Sequence, residues 1–340
     1  MQRLLTAMIN AHGEFSVVGA AQDPFEARER IKMLNPDVIT LDVEMPRMDG
    51  VTFLEKLMRL RPMPVVMVSS STEANAEVTL RALELGAVDF VTKPKGDGGQ
   101  DLADFGAELC EKLRVAAGAE CKARNLRPVA PVSFAAGYNL SGVIAIGAST
   151  GGTEAIKEIL LQLPLNAPPV VIVQHMPEMF TRLFAKRLND LCPVNVTEAV
   201  HGERLQPGHA YVAPGNWHLS VARVGRQLEL RTDQAELVNR HRPAVDVLFD
   251  SVANSVGPNA VGVLLTGMGR DGVAGLGAIK RAGGFTAAQA RESCVVFGMP
   301  KAAIEAGYAQ CIASIEDMAA HILTALQREP ARSGEGPRRR

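Results

Sequence analysis

VIAIGASTGG, residues 143–152, runs four apolar residues into a cluster of glycines and small hydroxylated residues, and a helix-like segment, TEAIKEILL, follows. Apolar run, glycine turn and helix in succession are the grammar of a parallel α/β sheet. PVVIV at 169–173 and VGVLL at 261–265 repeat the pattern, with helical segments such as EMFTRLFAKRLNDL between them. AYVAP, HLSVARV and QLELR read as shorter strands. Residues 141–326 are therefore expected to form an α/β domain with a doubly wound, mainly parallel sheet.

The loop GASTGG allows three readings: a phosphate cradle, a nucleophilic serine or a tight turn. Gly147 to Gly151 fit G-x-S-x-G, with a strand before and a helix after, which is the setting of a nucleophile elbow. The free N–H groups of a helix start suit a developing oxyanion. A dinucleotide loop is tested by three further features. Thr153 stands where its third glycine belongs, and PVVIV ends in Gln174 and His175 instead of a ribose-binding acid. No Tyr-x-x-x-Lys exists, because Tyr138, Tyr211 and Tyr308 are followed four residues on by Gly142, Gly215 and Ile312.

A serine nucleophile needs a base, and the base needs an orienter. Ends of neighbouring parallel strands share one rim, where α/β sites lie. His175 ends the strand after the serine's helix, and Asp271 lies in the glycine-rich loop after VGVLL. Ser149, His175 and Asp271 are thus expected to converge.

Residues 1–95 alternate in the same way. RLLTAMINAH, PFEARERIKML, VTFLEKLMRLR and AEVTLRALELG read as helices, and FSVVGAA, DVITLDV, PVVMVSS and VDFVTKP as strands. Asp42, Ser69 with Ser70, and Lys93 fall at three strand ends. Residues 96–140 read as a linker that includes a helical stretch, DLADFGAELCEKLRVAA, and 327–340 as a disordered basic tail.

The bulk numbers narrow the function. Lys plus Arg is 36 against 37 Asp plus Glu, so no basic excess points to nucleic acid. No apolar run approaches the length of a membrane span, and the start does not read as a signal peptide. The five cysteines, 110, 121, 192, 294 and 311, form no CxxC pair, which fits a reducing cytoplasm and no zinc site.

LDVEMPRMDG (41–50) and DFVTKP (89–94) resemble response-regulator receiver domains. The resemblance implies Asp42 as phosphoacceptor, Ser69 as switch hydroxyl, Lys93 as the cation pairing with the phosphate, and Mg²⁺ as cofactor of phosphorylation. Receivers open with an apolar strand ending in two acids that hold Mg²⁺, whereas this sequence opens in the helix that follows such a strand. The absent strand would lie between FSVVGA and DVITL, so a natural start further upstream is expected. Weak Mg²⁺ and phosphate uptake, and high basal activity, are expected of the present form.

GASTGG, VQHMP, YVAPGNWHL, HRPAVDVLF, LLTGMGRDG and SCVVFGMP extend the likeness. Together the two halves resemble the chemotaxis protein-glutamate methylesterases, the CheB family, in which a receiver precedes a Rossmann-like esterase domain. The resemblance implies Ser149 as nucleophile, His175 as general base and Asp271 as its orienter. It places the oxyanion on the backbone N–H of Met268, beside the turn at Thr150, and needs no cofactor for catalysis. Glutamyl methyl esters on the cytoplasmic domains of methylated chemoreceptors would be the substrate, receptor glutamines would be deamidated, and a CheA-type histidine kinase would phosphorylate Asp42. AQARESC (288–294) departs from the acid-bearing run usual there. The rival reading is a non-catalytic scaffold that binds receptor and kinase through a degenerate receiver; intact Ser149, His175 and Asp271 oppose it.

Overall fold

The computed structural model describes residues 1–70, 72–94, 99–119 and 141–327. The chain divides into two compact units, residues 1–127 and 128–340.

The first unit contains α1 (Gln2–Ala11), α2 (Pro24–Leu34), β1 (Ile39–Asp42), α3 (Gly50–Leu60), β2 (Val65–Ser69), α4 (Glu73–Glu84), β3 (Asp89–Thr92) and α5 (Gly99–Ala117). α2, α3 and α4 start where the sequence supplies caps. Asp23 accepts from the Phe25 and Glu26 N–H groups ahead of Pro24, and Asp49 and Thr72 cap α3 and α4. β1, β2 and β3 pair in parallel in that order, with Asp42 opposite Val68 and Ser69 opposite Thr92. The expected strand ends therefore do meet on one rim.

Two expectations change. FSVVGAA forms no strand. It faces β1 across a groove of about 880 Å³ lined by Val17, Gly19, Ile39 and Leu41, too far to share a ladder, and the Val17 N–H donates instead to Asn10 Oδ1 at 3.0 Å. The helix placed within the 96–140 linker, α5, packs on the first unit. Leu109 is fully buried, and Lys112 Nζ bridges Asp89 (3.4 Å) and Glu108 (2.8 Å) over the Phe90 ring. The rest of that linker, residues 120–140, and the basic tail, 328–340, lie outside the described residues.

The second unit contains β4 (Val143–Ala148), α6 (Gly152–Gln162), β5 (Val170–Gln174), α7 (Glu178–Leu191), β6 (Asn195–Glu198), β7 (His209–Val212), β8 (His218–Val224), β9 (Gln227–Asp233), α8 (Val245–Val256), β10 (Ala260–Leu264), α9 (Val273–Arg281), β11 (Phe285–Gln289), α10 (Met299–Glu305), β12 (Cys311–Ala313) and α11 (Ile315–Leu326). Seven strands form one parallel sheet in the order β12-β11-β10-β4-β5-β7-β6. From β4 the chain winds one way to β6, then returns and winds the other way from β10 to β12. β4 and β10 thus flank the switch point, where a crevice opens at the carboxyl ends of the strands. All six residues of β4 are buried, as a strand covered on both faces requires. The antiparallel hairpin β8–β9 clamps α8: Val221 N–H donates to Ser251 Oγ (2.9 Å) and Ser255 Oγ donates to Val221 C=O (2.8 Å). Among the described residues no helix is long and apolar enough to cross a membrane.

Phe249 anchors α8 and is fully buried. Phe249→Ala should lower the stability of the second unit by about 3–5 kcal/mol, read as a shifted midpoint in urea unfolding.

Candidate active site

Ser149 sits at the sharp turn between β4 and α6. Gly151 takes φ +78°, a conformation that side chains resist, and a Cβ there would meet Val295 at 2.6 Å. The turn is held from both sides: Ser149 N–H donates to Thr266 C=O (3.0 Å), and Gln174 Nε2 donates to Ser149 C=O (2.9 Å). Ser149 Oγ makes no hydrogen bond among the described residues, so the hydroxyl is not locked elsewhere.

His175 follows β5 directly, and its N–H donates to Ala148 C=O at 3.1 Å, which ties the histidine to the residue before Ser149. Its ring Nε2 lies 2.8 Å from Asp271 Oδ2. A carboxylate accepts, so Nε2 carries the hydrogen and Nδ1 is left bare. That Nδ1 is buried and makes no hydrogen bond. It is the atom of the pair equipped to take a proton.

Asp271 comes from the loop after β10. Its side chain is 1% exposed, a position an isolated carboxylate could not hold. Four N–H donors meet it: His175 Nε2, Val245 N (2.7 Å), Asp246 N (3.1 Å) and Asn239 Nδ2 (2.8 Å). Burial by itself would push the carboxyl up. The His175 hydrogen bond and charge, with the Val245 N–H and Asn239, overcome that and bring it down to about 2. Two of the donors are the first N–H groups of α8, whose N-cap residue, Ala244, has no side-chain oxygen to offer. Asp271 therefore caps α8 from another element while it orients His175.

The Met268 loop closes the site. Gly267 lies so near Ser149 that a Cβ would meet the serine Cβ at 2.7 Å and Met299 Sδ at 2.4 Å. Gly267 C=O accepts from Gly298 N (3.1 Å) and Met299 N (2.8 Å), which pins the loop and leaves the Met268 N–H uncommitted to any of these bonds. Thr150 follows the serine on the same rim, and its C=O accepts from Thr266 Oγ1 (3.0 Å). Thr266 also receives the Val296 N–H (2.9 Å) and donates its own N–H to Gln289 Oε1 (2.8 Å). The SCVVFGMP stretch, which the sequence singles out without a role, is the strap holding the serine and Met268 loops together.

The sequence does not single out Gln174, Asn239 or Thr266 as site residues. Gln174 ends β5 and Thr266 lies two residues beyond β10, inside VQHMP and LLTGMGRDG, and nearby glycines hint at the crowding they organise. Asn239 lies in a loop, at φ +53°, where no periodicity reaches. At AQARESC, where Ala290 and Arg291 depart from the usual run, Ala290 N–H donates to Ala313 C=O at 2.7 Å and the Gln289 and Ser293 side chains tie the loop, Gln289 Nε2 donating to Ser293 C=O at 2.8 Å.

His175, His241 and Asp271 place ligand atoms within 4.8 Å of one another. The two imidazoles stack face to face at 3.7 Å and 8°. Their in-plane lone pairs run side by side and do not converge on one ion, and Asp271 is already saturated. These residues do not form a metal centre.

In the first unit Asp42 Oδ2 pairs with Lys93 Nζ at 2.7 Å, and Asp42 Oδ1 accepts from Glu44 N–H at 3.1 Å. Ser69 is fully buried, its Oγ 2.8 Å from Thr79 Oγ1 and so turned towards α4 in this state. Magnesium takes several oxygen ligands. Among the described residues no group of three acidic, His or Cys side chains gathers at Asp42, and Asp42 is itself paired with Lys93.

Residues 144–322 match the CheB methylesterase family and residues 1–99 the response regulator receiver domain family. The chain is 54% identical over 333 residues to protein-glutamate methylesterase/protein-glutamine glutaminase 1 of Geobacter metallireducens, spanning 94% of this chain and 91% of that one. It is 54% identical over 329 residues to the protein-glutamate methylesterase/protein-glutamine glutaminase of Salmonella typhimurium, spanning 96% and 94%. The crystal structure of the Thermotoga maritima CheB methylesterase catalytic domain superposes with a TM-score of 0.53 at 38% identity, covering 54% of this chain and 97% of that one.

Because the folded carboxyl of Asp271 lies at about 2, below its ordinary 3.8, its stabilising contribution is complete above pH 3.8 and is lost as pH falls through about 2. Urea unfolding between pH 5 and 2 should show stability falling less steeply in Asp271→Asn than in the wild type. Equal slopes would remove Asp271 as the linked group. The chain, with a receiver ahead of an esterase domain, belongs to the CheB methylesterase family.

Proposed function

We propose that the second unit hydrolyses glutamyl methyl esters of chemoreceptors by a serine mechanism, and deamidates receptor glutamines at the same site. The observation that carries the reading is the His175–Asp271 pair at 2.8 Å, with a bare Nδ1 on the rim that Ser149 occupies. The relatives' names give the substrate class.

His175 Nδ1 removes the Ser149 Oγ proton as the oxygen attacks the ester carbonyl. The charge that builds on the carbonyl oxygen falls to backbone N–H groups, Met268 first and the Thr150 turn beside it. The imidazolium, held by Asp271, passes its proton to the leaving methoxide, and methanol departs. Water then gives its proton to Nδ1 and attacks the acyl-serine; as the acyl–Oγ bond breaks, Nδ1 returns that proton to Ser149 Oγ and the free glutamate is released. With glutamine the leaving group is ammonia and every other step is unchanged. No cofactor enters the sequence.

In the receiver, Asp42 is the group we assign to accept a phosphoryl group from a CheA-type kinase, with Lys93 within pairing distance of the product. Ser69 is the switch hydroxyl, and its release from Thr79 would accompany phosphorylation. The free cysteines among the described residues suit the cytoplasm.

Methanol release from a methylated receptor fragment should be at least roughly 10³-fold slower in Ser149→Ala. Asp271→Asn, which leaves His175 in the wrong tautomer, should lose roughly 10⁴ in kcat. Undiminished release from Ser149→Ala would end the serine reading. For the receiver, labelling by radioactive acetyl phosphate should be weak and should disappear in Asp42→Asn.

A further inference from the structure

His241 has no part in the mechanism above, yet it lies against its centre. Its ring stacks on that of His175, centroids 3.7 Å apart and planes within 8°. The residue stands in a tight turn closed by two backbone hydrogen bonds, Val238 N to His241 C=O (3.1 Å) and His241 N to Val238 C=O (2.9 Å). Between them Asn239 and Arg240 both take left-handed conformations, at φ +53° and +67°. Asn239 Nδ2 reaches from this turn to Asp271 Oδ1 and to Asp246 Oδ2, each at 2.8 Å. One four-residue turn thus touches both members of the His–Asp pair, one through an amide and the other through a flat ring.

We propose that His241 is a positioning residue, whose ring face fixes the plane of His175 while the proton moves on and off Nδ1. This deepens the serine-esterase reading and rests on it. The physical need is specific. An imidazole held only by Nε2 to Asp271 can swing about that hydrogen bond and carry Nδ1 off the line to Ser149. A ring stacked on its face removes that freedom, and misplacement of about 1 Å costs roughly 10²-fold in rate. The backbone strain of two left-handed non-glycine residues is the sign that the turn is held for a purpose. The role asks for a flat face, and the ring nitrogens of His241 take no part in it.

The test compares His241→Leu, which keeps bulk and loses the flat face, with His241→Phe, which keeps the face and loses both nitrogens. Methanol release from methylated receptor is measured with each full-length variant, and the downfield proton resonance of His175 Nε2–H is recorded alongside. Leucine should lower kcat by roughly 10- to 100-fold with KM unchanged and broaden the resonance, and phenylalanine should restore both. A leucine variant with wild-type kcat and resonance overturns the proposal. So does a folded phenylalanine variant as slow as the leucine one, because it would assign the effect to a ring nitrogen. If leucine unfolds the protein, the kcat and resonance of the phenylalanine variant decide. Should the wild type prove not to need Ser149 for release, the esterase reading fails, while the resonance still reports whether His241 holds His175.

Discussion

The esterase unit depends on one buried negative charge. Asp271 is shut away from water and survives as a carboxylate because four N–H groups converge on it from β5's end, the turn before α8, and α8 itself. Removing any partner leaves a charge without compensation, which is costlier than losing a neutral hydrogen bond. The same contacts do three separate jobs: they cap a helix that lacks its own cap, set the tautomer of His175, and anchor the turn that carries Asn239 and His241. Stability and catalysis are therefore coupled at this residue. A substitution there acts on the fold of α8 as well as on the orientation of His175.

What surrounds the charge follows from sheet topology. β4 and β10 leave the switch point side by side, so the loops after them must meet, and β5 delivers His175 next to β4. Loops this close cannot all carry side chains. Gly267 shows the limit: a methyl group there would collide with Ser149 and Met299 together. The glycine-rich spelling of GASTGG and LLTGMGRDG is thus a consequence of convergence, and the phosphate-cradle reading has no need of it.

Strand-end logic made Ser149, His175 and Asp271 legible because each follows, directly or through a glycine-rich loop, an apolar run whose direction is fixed by parallel pairing. Residues 15–21 misled the same logic. FSVVGAA has the composition of a strand, but a strand exists only as half of a pair, and composition says nothing about whether the partner lies within reach. The helix after residue 98 was visible as a helix, while its allegiance was not. Leu109 and Lys112 show that it completes the first unit's core, a tertiary fact that no local pattern carries. Asn239 escaped, and His241 stood in HRPAVDVLF without a role, for a related reason. Their placement is set by two left-handed residues in a loop, and non-glycine residues announce no such turn.

Each unit places an acid on the rim at the carboxyl ends of its strands, Asp42 at the end of β1 and Asp271 in the loop after β10, and exposure separates the two. Asp42 is 29% exposed and its partner Lys93 19%, which leaves the carboxylate within reach of the phosphoryl donor proposed for it. Asp271 is 1% exposed, with every lone pair directed at an N–H, so no reagent can approach it and it works only through His175. A lysine suits the first case because a flexible ammonium can stay paired as a carboxylate becomes an acyl phosphate. A histidine suits the second because it passes a proton between two atoms held still. Burial, more than residue type, is what separates the acceptor role proposed for Asp42 from the orienting role proposed for Asp271.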